Sequence, residues 1–251
     1  MTPAVMMHAG STAYVRTARR PNRVWDRVFF TTMILLLWAS ILYGFSKTYF
    51  LAGMVRAPLP NLLIHVHGAA FTLWMVLLLV QTTLITTRQV KVHRTLGVAG
   101  FGLAVAMVGL GFFAAIDAMR RGSGPLGLDA QTFFIIPVSD MLVFSVLVFW
   151  AFRMRRNPEF HKRLILMSSI ALVDAGVGRW PVAFLQAHPP AQDLIPLAFL
   201  LLMMAFDGVQ LHRVSKATIW GSVWLMAIHV GRVPFGQGAA WHSFARFCLR
   251  A

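Results

Sequence analysis

Cysteine is nearly missing: Cys248 is the only one in 251 residues. An internal disulfide is therefore excluded, and no CxxC or CxxCH is present to supply a thiolate metal site or a covalent haem attachment. Charge is scarce as well. Charged residues make up 12% of the chain and hydrophobic ones 58%, against about 25% and roughly 45–50% in a soluble domain. So little charge cannot coat a water-facing surface of this size, and lipid must solvate much of the chain. A P-loop, an HExxH pair and a nucleophile elbow are also absent, and the loops are too short for a soluble catalytic domain. Soluble hydrolase and nucleotide chemistry are set aside; an intramembrane enzyme stays open.

What charge there is has one dominant sign, with 23 Lys and Arg against 8 Asp and Glu, a formal net charge of +15. A nucleic-acid partner would need these residues on one stripe. They fall instead in short clusters between apolar runs, as membrane orientation requires, and the nucleic-acid reading is dropped. Seven runs emerge, at about 28–48, 61–86, 95–117, 132–152, 164–186, 194–212 and 217–234. Each can cross roughly 30 Å of hydrocarbon at about 1.5 Å per residue. Asp207, His229 and Arg232 interrupt the last two. The expected fold is all-α, a polytopic transmembrane helix bundle of about seven spans. Asn157 and Pro158 read as the N-cap and first residue of the fifth span. "RGSGPLG" at 121–127 and "AHPPAQ" at 187–192 read as loops.

Lys and Arg counts orient the bundle. With the N-terminus inside, the inner segments hold about twice as many as the outer ones, which favours N-inside and C-outside. Three parts follow: a basic cytoplasmic arm at 1–27, the transmembrane domain at 28–234 and a short external tail at 235–251. "ILYGFSKTYF" lacks a small-residue cleavage pattern, so the first run reads as an uncleaved anchor.

Two inner connections echo each other. Arg88-x4-His93-Arg-x-Leu96 precedes the third run and Arg156-x4-His161-Lys-x-Leu164 precedes the fifth. The spacing suggests duplicated helical hairpins. The third run is dense in small residues, with Gly100 and Ala104, Gly102 and Ala106, and Gly111 and Ala115 spaced for close helix packing.

Polar residues within spans are costly, at about 2.5–3.5 kcal/mol each, and mark candidate sites. Here they are Asp140, Arg179, Asp174 and Asp207, with His229 and Arg232. Asp140 and Arg179 lie at matched depth, roughly 12 and 10 Å below the outer surface. They are expected to pair, either as a ligand or proton site or as a neutral clamp between helices. Asp207 reads as an anchor for Arg213 or the inner basic motifs. Asp174 has no partner within its own helix and is the leading proton-relay candidate.

His65 and His67 are two apart, about 200° round a helix, and cannot grip one ion together. His67 heads a stripe of Phe71, Trp74, Leu78 and Gln81 that reads as an interior face. His229 stands at comparable outer depth, so a His67–His229 pair could hold haem iron axially. His93 and His161 could serve an inner layer; interfacial lipid-phosphate contacts are the plainer reading of both.

The segments "HVHGAAFTLWMVLLLVQ", "VHRTLGVAGFGLA", "PVSDMLVF", "PEFHKRLILM" and "GRWP" are similar to those of a group of uncharacterised bacterial multi-pass membrane proteins. The resemblance spans about residue 61 to the tail near "WHSFARF". Through "HRTLG" the chain also resembles, more distantly, the domain-of-unknown-function family numbered 2306. This implies a multi-pass protein of the bacterial cytoplasmic (inner) membrane and transfers no catalytic residues.

Three functions remain open. The sharpest is a redox module binding b-type haem or quinone between helices, through His67 and His229 outside and His93 or His161 inside. The second is a proton-coupled small-solute transporter using Asp174, Asp140 and Arg179, with Pro137 and Pro181 as helix breaks. The third is a non-catalytic assembly subunit with a membrane-protein partner. The lipid bilayer is the surrounding common to all three.

Overall fold

Helix starts fall where the sequence supplies side-chain caps. The computed structural model describes residues 22–51, 61–122 and 127–250. Within it, the Asn22 side chain accepts from the Val24 N–H and opens α1 (Arg23–Phe45), which ends in a wider turn at Ser46–Phe50. Asn61 caps α2 (Leu62–Thr86), and Asp129 caps α4 (Ala130–Arg153) by accepting from Gln131 and Thr132. Asn157 caps α5 (Pro158–Ile170), with Pro158 at its first position as the sequence predicts. Ser215 caps α9 (Lys216–Gly236). Each cap satisfies a backbone N–H that the helix itself leaves unpaired.

α3 (Val90–Arg120) follows α2 through a tight reversal in which Arg88 takes a left-handed φ of 62°. Between α5 and α8 (Leu194–Leu211) the chain is broken up. It holds α6 (Asp174–Val177), α7 (Ala183–Ala187) and a 3₁₀ turn at Pro189–Asp193. α10 (Ala239–Arg250) closes the chain. No strand occurs among the described residues.

Five helical segments are long and apolar enough to cross a membrane: Arg23–Phe50, Leu62–Thr86, Val90–Arg120, Ala130–Arg153 and Pro189–Leu211. The fifth apolar run of the sequence is not one continuous helix. α5 has 13 residues, about 20 Å of rise and short of a full crossing. α9 is long enough but carries His229 and Arg232.

The outer faces of the bundle stay apolar and exposed, with Leu36, Val76, Val105, Phe149, Leu202 and Val230 all uncovered. The core is a continuous cluster running through Leu37, Trp74, Met107, Phe144, Met167 and Leu225. α3 packs most extensively on α4 and α2, and its small residues explain how. A Cβ at Gly111 would lie 2.4 Å from Met141 Sδ, and one at Gly100 would lie 2.7 Å from Leu77. Gly102 and Ala106 face outward instead, so only two of the three small-residue pairs mark contacts.

α1 begins at Arg23, within the stretch read as an N-terminal arm at 1–27, whose residues up to 21 lie outside the described ones. The tail at 235–251 is largely α10, whose Trp241, Ala245 and Cys248 recur at helical spacing and pack on Phe134 and Ile135. Pro137 does not break its helix: α4 runs through it from Ala130 to Arg153. Pro181 does lie in the broken stretch.

The turns α2–α3, α4–α5 and α8–α9 gather at one end, the basic end, with the start of α1. There the Asn22 N–H donates to Gln210, and Lys162 Nζ reaches Asp26 at 2.6 Å and Glu159 at 2.9 Å. At the far end Asn61 donates to Asp117 at 2.9 Å and Trp241 to the Gln131 carbonyl at 2.8 Å.

Candidate functional site

Four elements deliver charge to one buried spot nearer the far end. α4 supplies Asp140, α6 supplies Asp174, the 3₁₀ turn ends in Asp193, and α9 supplies His229 and Arg232. His229 and Arg232 are three residues apart, so they share one face of α9. α6 reaches this spot because it lies directly against α1: a Cβ on Gly44 would fall 2.1 Å from the Gly176 carbonyl oxygen. Only glycine permits that approach. Trp180 Nε1 fastens the same stretch by donating to the Ser40 carbonyl at 3.0 Å.

Arg232 is the centre of the cluster. Its Nη1 donates to Asp140 Oδ1 at 2.8 Å, and its Nη2 donates to Asp174 Oδ2 at 2.8 Å and Asp193 Oδ1 at 3.1 Å. The His229 side chain is fully enclosed. Its Nδ1 faces Asp174 at 3.3 Å and Asp193 at 3.4 Å, and its Nε2 faces Asp140 at 4.0 Å. Neither ring nitrogen completes a hydrogen bond among the described residues, and neither does Asp174 Oδ1. Three carboxylates thus meet one guanidinium and one imidazole. Even with both basic groups charged the cluster is one negative charge in excess, an expensive condition away from water.

Oxygens of Asp140 and Asp174 and a nitrogen of His229 lie within 4.8 Å of one another, a span a metal ion could bridge. The guanidinium of Arg232 already holds both carboxylates, so the cluster contains its own fixed cation. The Asp193 side chain is 32% exposed, whereas those of Asp140 and Asp174 are 8% and 9%. Asp193 is therefore the cluster's opening to the surroundings.

A second ionic group lies at the basic end. Arg163 Nε donates to Asp207 at 2.9 Å, its Nη2 makes a further very short contact to the same carboxylate, and its Nη1 bonds Glu159 at 2.7 Å. The other Asp207 oxygen accepts from Thr218 Oγ1 at 2.6 Å and the Ser215 N–H at 3.0 Å. Both side chains are essentially inaccessible and both are satisfied. This group ties α5 to α8 and α9.

The expected Asp140–Arg179 pair does not form. Asp140 takes Arg232, while Arg179 Nη1 donates to the Ala175 carbonyl and its guanidinium lies 4.5 Å over the Phe45 ring. Matched depth was satisfied by two arginines, and rotation about the helix axes chose between them. His67 and His229 have different surroundings: His67 packs on Phe71 with ring centroids 4.2 Å apart, while His229 lies among carboxylates. At the basic end the His93 and His161 ring centroids are 6.4 Å apart. Asp207 sits at the basic end on Arg163, and Asp174 finds its partners on α9.

Asp193 and Arg163 went unrecognised in the sequence. Asp193 stands one residue outside every apolar run and reads as loop. Arg163 is one of several basic residues near the fifth run, and nothing in its neighbours marks it as buried. Fold and cluster together define a class: a bundle of apolar helices enclosing a buried carboxylate–histidine–arginine centre. Compared with family models, with curated proteins and with solved structures, the chain finds no match.

Proposed function

We propose that this chain is a proton-coupled carrier of the bacterial cytoplasmic membrane, and that the Asp140–Asp174–Asp193–His229–Arg232 cluster is its proton-exchange site. In this reading α5 with α6 and the polar-lined α9 complete seven spans around the five apolar ones. The N-terminus and the basic end face the cytoplasm, as the Lys and Arg bias favours. The cluster then lies in the outer half of the bilayer.

The observation that carries the reading is the excess carboxylate beside an imidazole with both nitrogens turned to acids. A proton is the smallest charge that balances such a group, and Asp193 gives it a route in and out. The interrupted backbone from Ala171 to Asp193 supports a carrier in particular. Irregular backbone at membrane depth is tolerated where it lines a polar site, and broken helices recur at carrier binding sites.

The test is proton flux into liposomes of the purified chain holding a pH-sensitive dye, under an imposed potential and with a panel of candidate solutes. Wild-type protein should acidify the lumen faster with a transported solute, and Asp174→Asn should fall to the empty-vesicle rate while its unfolding temperature in detergent holds. Equal flux in the two proteins would overturn the role of the cluster. Substitutions that only lower stability, with no wild-type flux for any solute, would favour the assembly-subunit reading.

A further inference from the structure

Arg179 stands in the broken stretch between α6 and α7, and no carboxylate pairs with it. The chain has eight acidic residues, all of them described, and each is engaged elsewhere. Asp26 and Glu159 meet Lys162, Asp207 meets Arg163, Asp117 meets Arg121, and Asp140, Asp174 and Asp193 meet Arg232. The eighth, Asp129, caps α4. The charges acting on Asp140 and Asp174 come from within their own cluster, and no opposite charge acts on Arg179.

The guanidinium is nonetheless held in place. Its Nη1 donates to the Ala175 carbonyl one turn back, and its Cζ lies 4.5 Å from the centre of the Phe45 ring at the end of α1. The next residue, Trp180, is bonded to the Ser40 carbonyl and meets Tyr43 edge-on with ring centroids 5.7 Å apart. An arginine restrained in this way has lost rotamer freedom before any ligand arrives. Its other N–H donors make no hydrogen bond among the described residues, and the residue is exposed, so a ligand can reach them. Lys47 and Thr48 belong to the turn that follows Phe45. Lys47 is exposed and makes no ion pair among the described residues, and Thr48 Oγ1 is enclosed without a hydrogen-bond partner. On α2, His67 lies near enough for the Arg179 charge to act on its ring, which makes α2 the second wall of the site.

An unpaired guanidinium among apolar helices is costly, and an anion is the partner that removes the cost. The planar fork of arginine suits the paired oxygens of a carboxylate or phosphate. We propose that Arg179, supported by Lys47, anchors an oxyanion-binding site at the far end of the bundle, between α1, α2 and α6, and that its ligand is the solute of the carrier. That last step rests on the proton-coupled carrier reading; the binding itself does not. The headgroup of an anionic lipid offers the same chemistry as a free oxyanion, and the experiment separates the two.

The full chain, purified in mild detergent and stripped of lipid, is dialysed against radiolabelled inorganic phosphate and acetate in a chloride background of constant ionic strength. At least one of the two should bind saturably to the wild type. Arg179→Gln should weaken that binding at least about tenfold, the usual worth of a hydrogen bond to a charged group. Arg179→Lys keeps the charge and loses the fork, so it should fall between them, and it carries the test if unfolding temperatures show that the glutamine variant does not fold. Arg246→Gln, at an exposed position on α10, should bind as the wild type does. Asp174→Asn should bind normally while losing flux; binding with no flux in any protein would overturn the carrier reading and leave this site standing. The lipid arm returns stripped protein to phosphatidylcholine vesicles with and without phosphatidylglycerol. If neither free ion binds and phosphatidylglycerol raises the unfolding temperature of the wild type but not of Arg179→Gln, the oxyanion is a headgroup and the solute assignment falls. Binding that survives undiminished in the Arg179 variants, or no difference between them and the wild type with any of the three probes, would overturn the proposal.

Discussion

The bundle buries two aspartate–arginine groups, and they are built differently. At the basic end one arginine meets Asp207, and every oxygen of that carboxylate has a donor: Arg163, Ser215 and Thr218. At the far end one arginine meets three aspartates, and an oxygen and two ring nitrogens are left without hydrogen bonds among the described residues. The same pairing of residue types is thus fully matched, or closed, at one end and incompletely matched, or open, at the other; on the proposed reading the first holds helices and the second exchanges a proton.

The comparison breaks most visibly at the closed group. Asp207→Ala strands Arg163 in the core and should cost about 3–5 kcal/mol, the usual penalty for an uncompensated buried charge. Unfolding in detergent against denaturant measures it. Asp174→Asn at the open group should cost far less, because it removes charge from an over-acidic cluster. Equal losses at the two sites would erase the distinction drawn here.

Next in size is Gly44→Ala. The added methyl meets the Gly176 backbone rather than a yielding side chain, so α6 must move and carry Asp174 with it. Overpacking of this kind costs about 1–3 kcal/mol. It should also impair flux, whereas Gly102→Ala, where a Cβ meets nothing within 4 Å, should change neither flux nor stability.

The smallest effect concerns Glu159, on the first turn of α5. Burial would raise its carboxyl, but the bonds from Lys162 and Arg163 outweigh that and hold it below its ordinary value of 4.5. A lowered folded value means the contribution is complete above about 4.5 and is lost as pH falls through the folded value. Glu159→Gln should lower stability near neutrality and flatten the acid limb, so that mutant and wild-type profiles converge as pH falls through that window. A gap between the two that stays constant from neutrality down through the acid limb would contradict this.

How far the site could be read in advance varies residue by residue. Asp140, Asp174, His229 and Arg232 stand out because each interrupts an apolar run. Their grouping does not, since depth along a helix is legible from residue count while rotation about its axis is not. That is why matched depth pointed to Arg179, whereas the structure brings Arg232 to Asp140. Asp193 is silent because it sits in a stretch that reads as a loop and is in fact folded back against the bundle. The His93–His161 meeting was half legible: the repeat gave equivalent positions, but contact depends on how α3 and α5 stand beside α4.

Sequence alone determined the solvent and the punctuation. Low charge, long apolar runs and the caps at Asn22, Asn61, Asp129, Asn157 and Ser215 act within a few residues, so their consequences follow from local chemistry. Only the tertiary structure decided which acid meets which base, why five segments rather than seven are uninterrupted apolar spans, and that Gly44 brings α6 into place. Those outcomes rest on helix rotation and close packing between distant segments, which no local pattern encodes.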